Sequence, residues 1–239
     1  MEYFFVALSL IVGYLIGNIE TAVIISRAVF KDDVRQHGSG NAGTTNMLRV
    51  FGMKPGVVTF FGDFAKGIAA VLIGRLILSF LNSDAVVLGA DFVTVGGYAG
   101  GLGAILGHDF PVFFGFQGGK GVACSLAVAY MIAPIIAAIV TVAAFIIIYA
   151  TQMVSVGSLI GITLFCAATV IHDIYNIPII VLCVIIWLLI MIRHRDNIIR
   201  IFKGEESKLF SRPKRQRGEG YYADPGEREH HCRNNNPMR

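Results

Sequence analysis

Three short segments carry residues whose types and spacing could handle phosphate groups. The first reads Gly38-Ser39-Gly40-Asn41-Ala42-Gly43-Thr44-Thr45-Asn46-Met47-Leu48-Arg49. Gly38, Gly40 and Gly43 match the dinucleotide pattern formally, but that pattern needs a preceding strand and a βαβ unit. The apolar runs on either side offer neither. What survives is the physics of glycine: successive backbone N–H groups can turn inward as a nest for an anion. Ser39, Thr45 and Asn46 add side-chain donors and Arg49 a charge. A flexible, solvated loop is the plain alternative.

The second segment runs from Gly107 to Gly121 and ends Gln117-Gly118-Gly119-Lys120-Gly121. It fails as a Walker A loop, which requires a glycine where Phe114 stands and a Ser or Thr where Gly121 stands. It remains a glycine-rich turn presenting one cation and free N–H groups at the start of a helix, an arrangement that suits phosphate. Phe110, Pro111, Phe113, Phe114 and Phe116 would seat it in a membrane interface. Anchoring alone is the competing reading. The third segment, Arg193-His194-Arg195-Asp196-Asn197-Ile198-Ile199-Arg200, continues to Gly204-Glu205-Glu206. Read as a helix, His194, Asn197 and Arg200 share one face. The cations taken singly are topology signals, whereas His194 and Asn197 are not accounted for that way.

The elements that must position these segments are apolar. Of 239 residues 55% are hydrophobic and 15% charged; a soluble domain carries about 25% charged residues, so the chain reads as a polytopic membrane protein. Apolar stretches fall at Tyr3–Ser26, Val57–Leu81, Val86–Leu106, Val156–Ile171 and Ile177–Ile192. The run Val122–Ala150 would reach about 43 Å as one helix, beyond a hydrocarbon core of roughly 30 Å. Pro134 lies near its middle and breaks it in two. The expectation is therefore an all-α protein with seven transmembrane helices.

Charge sets the orientation. Arg27, Lys31, Arg35, Arg49 and Lys54 crowd the first loop, and Arg193, Arg195, Arg200 and Lys203 follow the last apolar run. Basic loops stay in the cytoplasm, which seven spans satisfy with the N-terminus outside and the C-terminus cytoplasmic. Glu2, Asp84, Asp91 and Asp173 then mark the opposite face, with Arg75 its lone cation. All three phosphate-suited segments then fall on the cytoplasmic side of the membrane. The N-terminus, lacking a basic n-region and a small-residue cleavage site, reads as a retained helix.

Other groups are less specific. Asp63 and Lys66, three apart in an apolar helix, could pair or serve the site. Asn18 and Glu20 are ambiguous, and the glycines from Gly96 to Gly103 suit close helix packing. Cys124, Cys166, Cys183 and Cys232 show neither disulfide nor metal spacing. No metal or other cofactor is expected, and nothing suggests a nucleic-acid partner. Oligomeric state is not legible.

Taken together, three motifs resemble the bacterial acyl-phosphate:glycerol-3-phosphate acyltransferase family. They are Ser39-Gly40-Asn41-x-Gly43-x-Thr45-Asn46-x-x-Arg49, then Gly107-His108-x-Phe110-Pro111 through Gly118-Gly119-Lys120-Gly121-Val122-Ala123, and His194-Arg195-x-Asn197-Ile198-x-Arg200 with Gly204-x-Glu206. Asp63-x-x-Lys66-Gly67 and Ser155-x-x-Ser158 also match. The likeness covers residues 1–206, an acyltransferase domain; residues 207–239 lie outside it as a polar, basic, disordered tail suited to anionic lipid. Thr44, Gln117 and Cys124 stand where the family usually has Ala, Lys and Thr, and Asn18 and Glu20 replace a usual Ser and Pro.

The resemblance implies transfer of an acyl group from acyl phosphate to the 1-hydroxyl of glycerol 3-phosphate, giving lysophosphatidate and phosphate. Partners are the two substrates and membrane lipid. Catalytic candidates are Ser39, His108, Lys120, His194 and Asn197. Phosphate contacts are expected from Gly38, Gly40, Asn41, Gly43, Thr45, Asn46, Arg49, Lys66, Gly118, Gly119, Gly121, Arg195, Arg200 and Glu206. The base stays open between His108, His194 and a substrate phosphate oxygen, and Ser39 between phosphate donor and nucleophile. Thioester-dependent membrane acyltransferases, with Asp five residues after His, are disfavoured: those positions here are Ala42, Phe113, Ile177 and Ile199. A transporter would place its polar groups at midplane on broken helices.

Overall fold

In the computed structural model, which describes residues 1–81 and 86–209, each apolar segment is helical. The elements are α1 (Glu2–Gly17), α2 (Thr21–Val29), α3 (Thr44–Phe51), α4 (Met53–Ser79), α5 (Phe92–Asp109), α6 (Val122–Ile132), α7 (Pro134–Thr151), α8 (Val154–His172), α9 (Ile177–Arg193) and α10 (Arg195–Phe202). A two-residue antiparallel hairpin, β1 (Val86–Val87) with β2 (Ala90–Asp91), precedes α5. Glu2–Val29, Met53–Ser79, Pro134–Thr151 and Val154–His172 are long and apolar enough to cross a bilayer. A fifth crossing follows if α9 and α10, bent by 60° between them, are one span.

The break expected at Pro134 is present: Ala133 leaves helical geometry and Pro134 opens α7, where its missing N–H costs nothing. Two expected spans are corrected. The first is not continuous from Tyr3 to Ser26. It stops at Gly17, and Glu20 sits at φ −82°, ψ 87° before α2 begins. Asn18 Nδ2 donates to the Tyr14 carbonyl (2.7 Å), and the Ile19 carbonyl, released from the helix ladder, accepts from Lys66 Nζ (2.7 Å). The third does not begin at Val86: the hairpin intervenes, and Asp91 caps α5 by accepting from the Thr94 N–H (2.8 Å).

Glycines bring α1, α4 and α5 to backbone contact, as the spacing predicts. A Cβ on Gly13 would lie 2.1 Å from the Gly100 carbonyl oxygen, and one on Gly74 2.2 Å from that of Gly96. Membrane helices pack this way because lipid supplies no hydrophobic drive and close van der Waals contact must replace it. A larger apolar core, with Ile105, Val128, Phe165, Ile186 and Ile190, joins α5, α6, α8 and α9. A smaller one of Ala22, Val23, Val34, Ala42 and Met47 lies under the first glycine loop. The expectations for the basic tail, beyond Leu209, and for Asp84 fall outside the described residues.

Candidate active site

The three segments meet at one end of the helix bundle. Asn46 builds the first loop: its Nδ2 donates to the carbonyls of Val34 (3.0 Å), His37 (3.0 Å) and Asn41 (3.1 Å), and its Oδ1 accepts from the Ser39 N–H (2.9 Å). The expected phosphate contact from Asn46 is thereby corrected. Its amide is spent on holding Gly38–Gly43 in shape, with Gly38 and Gly40 at φ +59° and +70°, where glycine is at ease. Ser39 and Gly40 are exposed, and Gly43, at the start of α3, leaves Thr44 and Thr45 in the helix's first turn. Arg35, held by Asp33 (2.8 Å), ties this loop to the second through the Phe114 carbonyl (2.8 Å).

The second loop is pinned from three sides. Tyr14 Oη donates to the Phe110 carbonyl (2.8 Å). The Gly119 N–H donates to the His108 carbonyl (3.0 Å), so Gly119 does not offer an anion donor. Arg193 donates to the carbonyls of Gly119 (2.6 and 3.0 Å) and Gly118 (3.1 Å), and its guanidinium lies 5.2 Å from the Phe110 ring centroid. With those carbonyls occupied, the N–H groups of Lys120 and Gly121 have no protein acceptor among the described residues. From the sequence, Arg193 is accounted for as a topology signal. Its place at the helix end next to His194 is the one cue that could have flagged it.

The third segment closes the site around Glu206. Its Oε1 accepts from Asn197 Nδ2 (2.6 Å) and Ser155 Oγ (2.8 Å), and its Oε2 from Arg200 Nε (2.9 Å). Burial by itself would raise the Glu206 carboxyl, but bonds from Asn197, Ser155 and Arg200 hold it below the ordinary range. Glu206 thus acts as an anionic hub ordering the cations around it. Lys120 Nζ donates to Asn197 Oδ1. Arg49 reaches the Ser207 carbonyl (3.2 Å), and its partly buried guanidinium feels both Glu206 and Arg200.

Protonation states follow from this packing. Burial first, then the Arg200 charge, pulls the Lys120 ammonium down to about 8. Burial first, then Lys120, pulls His194 down to about 4, so its ring is neutral at pH 7. His194 Nδ1–H donates to the Ile190 carbonyl (2.9 Å), which leaves the lone pair on Nε2.

Two further expected ligands are placed elsewhere. Arg195 is exposed beside Asp196 (3.6 Å) and takes no part in the cluster. Lys66 is buried in α4, where Nζ contacts the Ile19 carbonyl (2.7 Å), Asp63 Oδ1 (3.0 Å) and His108 Nδ1 (2.9 Å). The pairing of Asp63 with Lys66 is as the three-residue spacing predicts. Among the described residues, no group of three His, Cys, Asp or Glu side chains could hold a metal.

Comparison with known proteins points one way. Residues 7–204 match the family model described as glycerol-3-phosphate acyltransferase. A relative of that name from Clostridioides difficile (strain 630) is 35% identical over 220 residues, covering 87% of this chain and 98% of its own. One from Staphylococcus carnosus (strain TM300) is 38% identical over 205 residues, covering 85% and 98%. Among solved structures, PlsY, an integral membrane glycerol 3-phosphate acyltransferase in its glycerol 3-phosphate form, superposes with a TM-score of 0.74 at 32% identity, over 86% of this chain and 99% of that one. Its lysophosphatidic acid form gives 0.70 at 33%, over 85% and 94%. A mostly helical chain with this much of its length matched belongs to the glycerol-3-phosphate acyltransferase family.

Proposed function

We propose that this protein transfers a fatty acyl group from acyl phosphate to the 1-hydroxyl of glycerol 3-phosphate, releasing 1-acylglycerol 3-phosphate and inorganic phosphate. The observation that carries the reading is the convergence of three glycine- and cation-bearing segments on one site. Arg49, Lys120, Asn197 and Arg200 lie around a single buried carboxylate, and the N–H groups of Lys120 and Gly121 have no acceptor among the described residues. Both substrates are phosphates, and charge-assisted bonds from such a cluster suit them.

In this reading Arg49, Lys120 and Arg200 hold the two phosphates. The N–H groups of Lys120 and Gly121 and those at the start of α3 meet the oxyanion that forms as the hydroxyl attacks the acyl carbon. Each such donor is worth about 10²–10³ in rate. Phosphate leaves without help from a general acid, and Ser39, exposed at the loop, serves as a donor to phosphate. His194 has its Nε2 lone pair free to accept the attacking hydroxyl's proton in a hydrogen bond. With its basicity lowered to about 4, it orients that hydroxyl. The proton passes to a substrate phosphate oxygen, whose pKa of about 6 is better matched to neutral pH.

In this reading the chain crosses the membrane seven times, with α1 and α2 sharing one crossing, and the site lies at the cytoplasmic face. The test offers purified protein labelled glycerol 3-phosphate with acyl phosphate or acyl-CoA. The expected result is one inorganic phosphate per lysophosphatidate from acyl phosphate and no product from acyl-CoA. Turnover from acyl-CoA would overturn the donor assignment.

A further inference from the structure

Behind the second loop lies a buried cluster that the reading above does not use. It comprises Glu20 at the α1–α2 break, Asp63 and Lys66 on α4, and His108 near the end of α5, with exposures of 0%, 2%, 5% and 3%. Thr21 Oγ1 also donates to Asp63 Oδ1 (3.1 Å). An ammonium has three N–H bonds, and three acceptors surround Lys66 Nζ within hydrogen-bond distance: the Ile19 carbonyl at 2.7 Å, His108 Nδ1 at 2.9 Å and Asp63 Oδ1 at 3.0 Å. Glu20 Oε1 is farther, 3.7 Å from Nζ and 3.3 Å from Nδ1, and neither Glu20 oxygen has a hydrogen-bond partner.

If Nδ1 carried a proton, one N–H of a buried ammonium would be unpaired and two protons would face each other. That arrangement loses a charged hydrogen bond and leaves a buried charged donor unmet, the costliest kind of omission. The other side of the ring faces the loops. A Cβ placed on Gly119 would lie 2.0 Å from His108 Nε2 and 3.0 Å from the Ala42 carbonyl oxygen, so Nε2 looks into the seam between the two glycine turns.

We infer that Lys66 is a positioning residue that fixes His108 as its Nε2–H tautomer, so that His108 gives a hydrogen bond into the seam where the substrate phosphate or oxyanion sits and is not the base. The inference rests on the acyl-transfer reading for its consequence, though not for the tautomer. Asp63, at 3.0 Å, is the counter-ion bonded to the Lys66 ammonium. Arg193 on α9 is the remaining charged group that acts on the ring. His194 and His108 then carry opposite tautomers, one accepting and one donating.

The tautomer is read from nitrogen-15 shifts of His108 in detergent-solubilised, histidine-labelled protein, assigned against His108→Gln. A pyrrole-type Nε2 and a pyridine-type Nδ1 are expected; the reverse pattern overturns the inference. In acyl transfer, His108→Gln places an amide donor near the Nε2 position but cannot take up a proton. It should lose no more than about tenfold in kcat/KM, against about 10²-fold or more for His108→Ala. Equal losses in the two variants would overturn the donor role. Lys66→Met should convert the His108 signals to the Nδ1–H pattern, with Glu20 as acceptor; an unchanged tautomer would remove Lys66 from its positioning role. Wild-type protein without turnover would defeat the functional reading alone, since the spectrum still decides the tautomer.

Discussion

Gly119→Ala is the substitution whose effect the geometry fixes most tightly. The added methyl would lie 2.0 Å from His108 Nε2 and 2.5 Å from Cε1, with the Ala42 carbonyl oxygen at 3.0 Å. Optimal non-bonded contact is about 3.5 Å or more, so the shortfall is roughly 1.5 Å. The imidazole cannot swing away, because Nδ1 is held at 2.9 Å by Lys66 and the ring is 3% exposed. The turn itself must move by about 1 Å, dragging Lys120 from Asn197, and a misplacement of that size costs on the order of 10² in rate. We expect kcat/KM for glycerol 3-phosphate to fall about 10²-fold in an acyl phosphate assay, with overpacking costing about 1–3 kcal/mol in stability. Gly115→Ala is the matched control: φ is +67° but no atom lies within 4 Å of its Cβ. Backbone strain of about 1–2 kcal/mol is its whole cost, and kcat/KM should stay within about threefold. A Gly119→Ala protein as active as Gly115→Ala would refute the packing argument.

Other outcomes follow from the same contacts. Because Lys120 in the free protein titrates near 8, kcat/KM should decline as pH rises through about 8. That limb should move upward in kcat, where bound phosphate favours the ammonium, and vanish over the measurable range in Lys120→Arg. A Lys120→Arg profile with the same alkaline limb would remove Lys120 as its source. The Glu206 carboxyl is held below its ordinary value of 4.5, so its stabilisation is complete above that pH and is lost as pH falls through the lowered value. Thermal melts of Glu206→Gln should be lower than wild type at pH 7 and converge with it in acid, and parallel melts at both pH values would contradict this. Asp63→Asn leaves a buried ammonium short of its nearest counter-ion and should cost about 3–5 kcal/mol, whereas Glu20→Gln, removing a carboxylate with no hydrogen-bond partner, should be neutral or stabilising. Equal destabilisation by the two would show that Glu20 is paired after all.

What the sequence shows and hides divides along physical lines. Helix identity, the Pro134 break and the grouping of three polar segments are local properties of hydropathy, charge and glycine content, and they read directly. The Asp63–Lys66 pair reads too, because spacing on one helix determines it. The α1 break does not, since the Ile19 carbonyl is released only because Lys66, from a helix begun more than thirty residues later, accepts the cost. The same distance effect hides the true work of Lys66, which is claimed by the Ile19 carbonyl and His108. Asn46 also has the chemistry of a phosphate ligand, but carbonyls five to twelve residues before it claim its amide once the loop folds back. Arg193 is hidden for the opposite reason: a cation at a membrane helix end already has an explanation, so its grip on Gly118 and Gly119 leaves no trace beyond its place next to His194. Glu206 is legible as a candidate site residue but not as the anion around which Asn197, Ser155 and Arg200 are arranged.

The claim that the three loops form one catalytic site is tested most directly by acyl transfer from acyl phosphate with one variant from each loop: Arg49→Ala, Lys120→Ala and Asn197→Ala. Each should lower kcat/KM for glycerol 3-phosphate by about 10²-fold or more while the protein elutes and melts as a folded species. Unchanged turnover in any folded variant would take its loop out of the site. Labelled glycerol 3-phosphate accumulating in wild-type proteoliposomes without acyl transfer would replace the enzyme with a transporter.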